Sequence, residues 1–447
     1  MDFPTTSNPA YFSRQQSAKA IPVIEQVFTI LAMLFYSGAI GRFIGEDNPL
    51  LMFIETIAII GALITVGLLV AQWKHVLSIA RRDPWLWILL SITLFSFLWS
   101  DYPDVTFGKV VPLLRVTAFG VYFASRYTIH NQLRLLAVTF YLAASLSVLI
   151  ALFLPYYGVM GAGLIVNMQH NQHTGVWRGA YIHKVMLGNM MAFGTLVCTY
   201  CYAQSSSRQY RWVMAIGATF CFGLLLMSTT KTALLGLISL VFLIPVLKIL
   251  KLKSSLAIAI GIVVCVVTSL TLLVVTSNLE DILGLFGREA SFSGRTNYWL
   301  PMIEKLLERP WFGYGYGTFA HGGWKGEIYY IWRLLFDGDE PPHAHNGLLN
   351  LALDVGLVGM TIFLISYGSL FWRSLRFFQA RHTLDGLAPI CFLVLFVVMN
   401  FTESMSMVPE LSWAYYVSIT LSIDNGLSRR LTLQQQAINY AVSLPIR

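Results

Sequence analysis

Four polar runs interrupt the apolar stretches of this 447-residue chain, and each carries groups able to do chemistry. The first holds His170, His173, Arg178, His183 and Lys184. The second is Ser228-Thr229-Thr230-Lys231-Thr232, the third Ser293-Gly294-Arg295-Thr296, and the fourth His343-Ala344-His345-Asn346. The set is cations and imidazoles, with no dense carboxylate cluster beside the histidines. Arginine meets phosphate oxygens through two parallel hydrogen bonds, and lysine acts as a point charge. Such groups beside a membrane suit an anionic lipid-linked substrate such as a diphosphate. A diphosphate gathers negative charge as its bond breaks, and fixed cations lower that barrier without a metal. A histidine can take a proton from an attacking hydroxyl.

Other chemistries fit less well. His343 and His345 with His170 and His173 resemble a set of zinc ligands. There is no H-E-x-x-H, however, and Asp337, Asp339 and Glu340 lie in a Gly-Asp-Glu-Pro-Pro run that reads as a solvated turn, so no metal is expected. Gly313-Tyr314-Gly315-Tyr316-Gly317 lacks the G-K-[ST] of a phosphate-cradling loop and reads as a flexible turn near the membrane. Lys231 has two readings: a lysine snorkelling to the interface, or a cation set beside a lipid head-group. Cys198 and Cys201 form a C-x-x-C inside an apolar run, where buried small residues are the simpler reading than redox or zinc chemistry.

The elements that must position these groups are membrane helices. Hydrophobic residues make up 56% of the chain and charged residues 12%, about half the charge of a soluble domain. The apolar runs have the length that crosses a bilayer, and a spanning backbone must pair within its own segment. The pattern predicts an all-α polytopic membrane protein with about twelve spans, near 22–41, 50–71, 85–100, 108–125, 133–154, 184–203, 211–228, 231–250, 255–276, 346–371, 386–402 and 409–424. Residues 1–447 read as one integral membrane domain without internal repeats. Residues 1–20 are polar and the first apolar run lacks a small-residue cleavage site, so that run is expected to be a span.

The net charge of +8 is no sign of nucleic acid, because the basic residues form no stripe. They alternate between the runs: Lys74, Arg81 and Arg82, then Arg126 and Arg134, Arg208 and Arg211, Lys248, Lys251 and Lys253, then Arg373, Arg376 and Arg381. This alternation places both termini in the cytoplasm. Asp101, Asp104, Glu403 and Glu410 then fall on the outer side, with a loop of about 155–183 and a larger one of about 277–345. In the larger loop, Trp299, Met302, Ile303, Leu306 and Leu307 recur at helical spacing, which predicts an amphipathic helix on the membrane surface. Trp324, Ile328, Ile331, Trp332 and Leu335 predict a second. The aromatics serve either as an interfacial belt or as a sugar-stacking platform. A transporter is the rival class, but transporters favour midplane charges and repeats. Here the polar groups collect at one face.

Read in order, Trp177-Arg178-Gly179-Ala180-Tyr181-Ile182-His183-Lys184, Ser228-Thr229-Thr230-Lys231-Thr232, Ser293-Gly294-Arg295-Thr296-Asn297-Tyr298-Trp299, Arg309-Pro310-Trp311-Phe312-Gly313-Tyr314-Gly315, His343-Ala344-His345-Asn346-Gly347 and Asp354-Val355-Gly356-Leu357-Val358-Gly359 resemble the O-antigen ligase and polymerase superfamily, most closely its exopolysaccharide-polymerase branch. The resemblance covers roughly residues 175–360. It implies a GT-C-like, inverting glycosyltransferase of the bacterial inner membrane, with its site at the periplasmic face and no metal or nucleotide cofactor. Donor and acceptor would be undecaprenyl-diphosphate-linked glycans, or lipid A-core as acceptor for a ligase. Membrane lipids, a chain-length regulator and a flippase would be the further partners. By the same resemblance Arg295 holds the diphosphate, His345 acts on the acceptor hydroxyl, and Lys231, Arg178, Lys184, His183 and His343 bind the diphosphate or glycan. Two positions depart from the family pattern. Val185 follows Lys184 where many relatives have asparagine, and residue 231 is lysine rather than the arginine common among ligases, which leans toward a polymerase.

Overall fold

A computed structural model describes residues 21–39, 50–161, 174–249, 261, 263, 295–321, 344–381, 384–401 and 403–423. The protein is an all-α polytopic membrane protein. Its helices are α1 (Val23–Tyr36), α2 (Leu50–Ala71), α3 (Trp73–Ala80), α4 (Pro84–Phe95), α5 (Pro103–Arg126), α6 (Ile129–Phe153), α7 (Lys184–Gln204), α8 (Arg208–Met227), α9 (Lys231–Ile249), α10 (Arg295–Glu308), α11 (Gly347–Arg381), α12 (Leu384–Asn400) and α13 (Leu411–Ser422). Six stretches within these, in α2, α5, α6, α7, α8 and α11, are long and apolar enough to cross a membrane. The expected span at 255–276 and the second amphipathic helix near 324–335 lie outside the described residues.

Polar residues at the helix starts explain several boundaries. Asp83 accepts from the Leu86 amide with Pro84 as first residue of α4, and Thr128 and Ser207 cap α6 and α8 in the same way. Each satisfies an amide that the helix leaves without an internal partner. The chain runs up and down, so helix ends gather at two levels. The starts of α5, α7, α9 and α11 share one level with the end of α12; it is called the site end below.

The opposite end is tied by ion pairs. Arg373 in α11 reaches Asp83 at 2.7 Å, with both side chains almost wholly buried, and also donates to the carbonyls of Thr420 and Ile423. Arg126 grips Glu25 through two bonds of 2.6 and 2.9 Å. Cys198 and Cys201 are buried, and their thiols point at the carbonyls of Ala137 and Leu133 in α6.

At the site end α11 is broken. Gly356 has φ 74° and ψ 179° inside the helix, a conformation that side chains rarely adopt. The break frees backbone groups on both sides, and the 309–317 turn pairs with them. Tyr314 and Gly315 donate to the carbonyls of Leu353 and Asp354 at 2.9 Å, while Leu357 and Val358 donate to those of Pro310 and Trp311 at 2.7 and 3.2 Å. The Gly-Tyr-Gly-Tyr-Gly run is therefore a packed clip rather than a flexible turn. Gly313, Gly315 and Gly317 all have positive φ, Tyr314 and Tyr316 are buried, and the Tyr316 hydroxyl donates to the Met407 carbonyl.

The clip also corrects the picture of α10 as a surface helix alone. Met302 and Leu306 are buried with Tyr314, Ala352 and Leu353, so one side of α10 lies on α11 and the clip. Leu300, Ile303 and Leu307 remain exposed on the other.

A methyl group at residue 356 would sit 2.1 Å from the Trp311 carbonyl oxygen, whereas one at Gly368 in the same helix meets nothing within 4 Å. Gly356→Ala is expected to destabilise the protein by about 2–3 kcal/mol from backbone strain alone. Gly368→Ala is expected to be neutral or slightly stabilising. Thermal unfolding of the purified variants in detergent checks the pair; similar midpoints for both would contradict this account of the clip.

Candidate functional site

The turn at 344–346 leads into α11. Asn346 caps that helix, its side-chain oxygen accepting from the amides of Leu348 and Leu349 at 3.1 and 3.2 Å. His345 just before it has φ 46°, a left-handed conformation that is costly for a side chain of this size. Trp299 in α10 holds the turn from the other side, its indole nitrogen donating to the Ala344 carbonyl at 2.8 Å. Arg295 is the first residue of α10, one helical turn before Trp299. Two motifs distant in sequence thus meet in one corner.

The 401–410 segment between α12 and α13 closes that corner. Asn400 at the end of α12 accepts from the amides of Met405 and Ser406, both at 2.9 Å. Gly347 packs directly on the Asn400 side chain, where a β-carbon would approach to 1.9 Å. The segment brings Glu403 to His345, with 3.6 Å between a carboxylate oxygen and Nδ1. Glu410 ends the segment. Protein surrounds its carboxyl. Burial, reinforced by the Glu403 charge, pushes the Glu410 carboxyl up from 4.5 to about 7. Its field also reaches the Tyr181 and Tyr316 hydroxyls.

A second group forms where α7 and α9 begin. Lys184 and Lys231 are the first residues of these helices. Thr230 links the two starts, its hydroxyl donating to the Lys184 carbonyl at 3.3 Å. Thr229 before it has φ 53°. Each helix start adds partial positive charge to its lysine. His183 caps α7, Nδ1 accepting from the Val185 amide at 3.3 Å. α9 packs on α12 where Gly236 faces Leu395 and Val398, and α12 ends at the His345 corner.

Arg178 stands differently. Its guanidinium donates to the carbonyls of Tyr157 and Tyr156 at 2.9 and 3.2 Å, which shapes the loop before α7. His170, His173 and His343, and the side chain of Arg295, lie outside the described residues. Among the described residues no three His, Cys, Asp or Glu side chains gather closely enough to hold a metal ion.

Sequence reading assigned no role to Glu403, Glu410, Asn400 or Asp354. Asp354 is buried in α11 and its carboxylate accepts from Asn350 at 3.3 Å. The available signal was the position of the two glutamates, acidic groups flanking apolar spans, which the principle of costly membrane charge marks as functional.

Residues 216–364 match the family model described as O-Antigen ligase. The exopolysaccharide production protein ExoQ of Rhizobium meliloti (strain 1021) is 26% identical over 105 residues, which is 23% of this chain and 24% of that protein. The aligned stretch therefore spans about a quarter of that relative's length. Both findings support the O-antigen ligase and polymerase superfamily, on its exopolysaccharide side.

The raised Glu410 carboxyl sets a pH dependence. Between pH 4.5 and about 7 the folded protein holds a proton there that the unfolded chain has lost, so stability falls as pH rises through this window. Glu410→Gln is expected to unfold at the wild-type temperature near pH 5 and at a higher temperature than wild type at pH 8. Thermal melts at both pH values check this; a variant that loses stability equally at both would contradict it.

Proposed function

We propose that this chain, whose residues 216–364 match the O-antigen ligase family, is a metal-independent, inverting glycosyltransferase. It polymerises undecaprenyl-diphosphate-linked oligosaccharide repeat units at the periplasmic face of the bacterial inner membrane. The observation that carries this reading is the convergence at one end of the bundle of two helix starts that each begin on a lysine, α7 at Lys184 and α9 at Lys231, joined through Thr230, and a histidine corner built by α10, α11 and the 401–410 segment. Cations from two helices suit a diphosphate, and the histidine suits an acceptor hydroxyl.

The roles follow from this chemistry. Lys231 and Lys184, with Arg295 from the start of α10, hold the donor diphosphate and take up the charge that builds as it departs. His345 accepts the proton of the acceptor hydroxyl as that oxygen attacks the anomeric carbon from the opposite side. His183 and His343 bind the glycan, and Arg178 acts by fixing the loop before α7. The positive-inside alternation supports cytoplasmic termini and a periplasmic site end. A flippase would supply the donor to that face, and a chain-length regulator would act on the product. Transfer to lipid A-core by the same cations and histidine is the ligase alternative; lysine at position 231 favours the polymerase.

Arg295→Ala and Lys231→Ala are each expected to lower turnover about 10²–10³-fold, the cost of one charge-stabilising group. His345→Ala is expected to lower it about 10²–10⁴-fold. Membrane insertion should be unchanged in all three, and a chelator should leave wild-type turnover intact. Near-normal polymer from Arg295→Ala and His345→Ala would sink the assignment, and chelator loss restored by zinc would favour a metal centre.

A further inference from the structure

Glu403 is held as firmly as His345. Its amide donates to the Met399 carbonyl at 2.9 Å, continuing the last turn of α12. Asn400 fixes the residues that follow it, and the clip fixes Met407 through Tyr316. On the other side, Trp299 and the Asn346 cap fix the backbone around His345. Gly347 against Asn400 locks the two turns together. The imidazole and the carboxylate therefore face each other because four separate elements put them there. Both are half-buried, with side-chain exposures of 27% and 17%, where a charge pair is screened less than at an open surface.

We infer that Glu403 is a positioning residue for His345: it faces Nδ1, keeps the proton of the neutral ring on that nitrogen, and so presents Nε2 to the acceptor hydroxyl. The inference rests on the reading of His345 as the group that takes the acceptor proton. The acceptor oxygen forms its bond to the anomeric carbon, and the bond from that carbon to the diphosphate oxygen breaks, its electron pair leaving with the diphosphate. The hydroxyl proton moves to Nε2, and the imidazolium so formed is paired with the Glu403 carboxylate until the proton returns to water. The 3.6 Å separation is longer than a hydrogen bond; such contacts in unliganded sites commonly tighten when substrate binds. Glu403 is one charged group facing His345, and the Glu403 charge is also felt by Glu410.

The test measures kcat and KM for a lipid-diphosphate-linked repeat unit with protein in liposomes. Glu403→Gln is expected to lower kcat by about 10²–10⁴-fold, as the loss of a carboxylate that fixes the tautomer of a general-base histidine does, with KM unchanged. Glu403→Asp, which keeps the carboxylate, should retain more turnover than Glu403→Gln. Added to His345→Ala, Glu403→Gln should cost nothing further, because its effect passes through the imidazole. Full kcat in Glu403→Gln beside a crippled His345→Ala would overturn the positioning role while leaving His345 in place. An equal loss from Glu403→Gln in the His345→Ala background would also overturn it, marking a structural role. Normal turnover in His345→Ala would instead overturn the reading on which the inference stands.

Discussion

A backbone amide or carbonyl at membrane depth has no water to bond, so irregular chain is tolerated there only when protein satisfies it. The break in α11 at Gly356 meets that constraint through the 309–317 clip, whose amides and carbonyls pair with residues 353, 354, 357 and 358. The His345 corner depends on this exchange. The clip sets α10 against α11 through Met302, Leu306 and Tyr314, and α10 in turn holds the 344–346 turn by Trp299. The same clip reaches across to the 401–410 segment through Tyr316 and Met407. The opposite end of the bundle carries the buried Asp83–Arg373 pair and the Glu25–Arg126 pair. Breaking such a buried pair costs several kcal/mol, so that end resists rearrangement.

The interlocking also gives the sequence motifs a physical meaning. The Gly-rich run and Asp354-Val355-Gly356-Leu357-Val358-Gly359 are the two halves of the clip. The Ser228–Thr232 run and Lys184 meet as the starts of α9 and α7, and His345-Asn346 starts α11. Residues 216–364, the extent of the O-antigen ligase match, contain both halves of the clip, Lys231, Arg295 and His345. The glutamates at 403 and 410 lie beyond it, on the segment that closes the corner.

Much of the fold was legible because hydropathy and helix length are strongly coupled in a membrane. The expected spans 50–71 and 231–250 compare with helices Leu50–Ala71 and Lys231–Ile249, and 184–203 with Lys184–Gln204. The C-x-x-C was legible as buried thiols for the same reason. The clip was not, since five residues of glycine and tyrosine carry no periodicity, and their order comes from a helix break forty residues further on. The partly buried side of α10 was missed because Met302 and Leu306 pack equally well on lipid or on protein in a pattern argument. Glu403 stood at a legible position, but its approach to His345 depends on the Asn400 bonds and the close packing of Gly347, which no spacing in the sequence displays. Arg178 matched a motif, yet the carbonyls of Tyr156 and Tyr157 that engage it lie some twenty residues back.

The central claim is that the cations and the histidine at the site end extend a glycan on a lipid diphosphate. Purified protein in liposomes, given a lipid-diphosphate-linked repeat unit with no nucleotide or metal, tests it by gel analysis of the products. The account predicts a ladder of lengthening glycans that remain on the lipid. Absence of a ladder from folded protein would contradict it; transfer to added lipid A-core would then mark a ligase, and no transfer to either acceptor would remove the enzyme reading altogether.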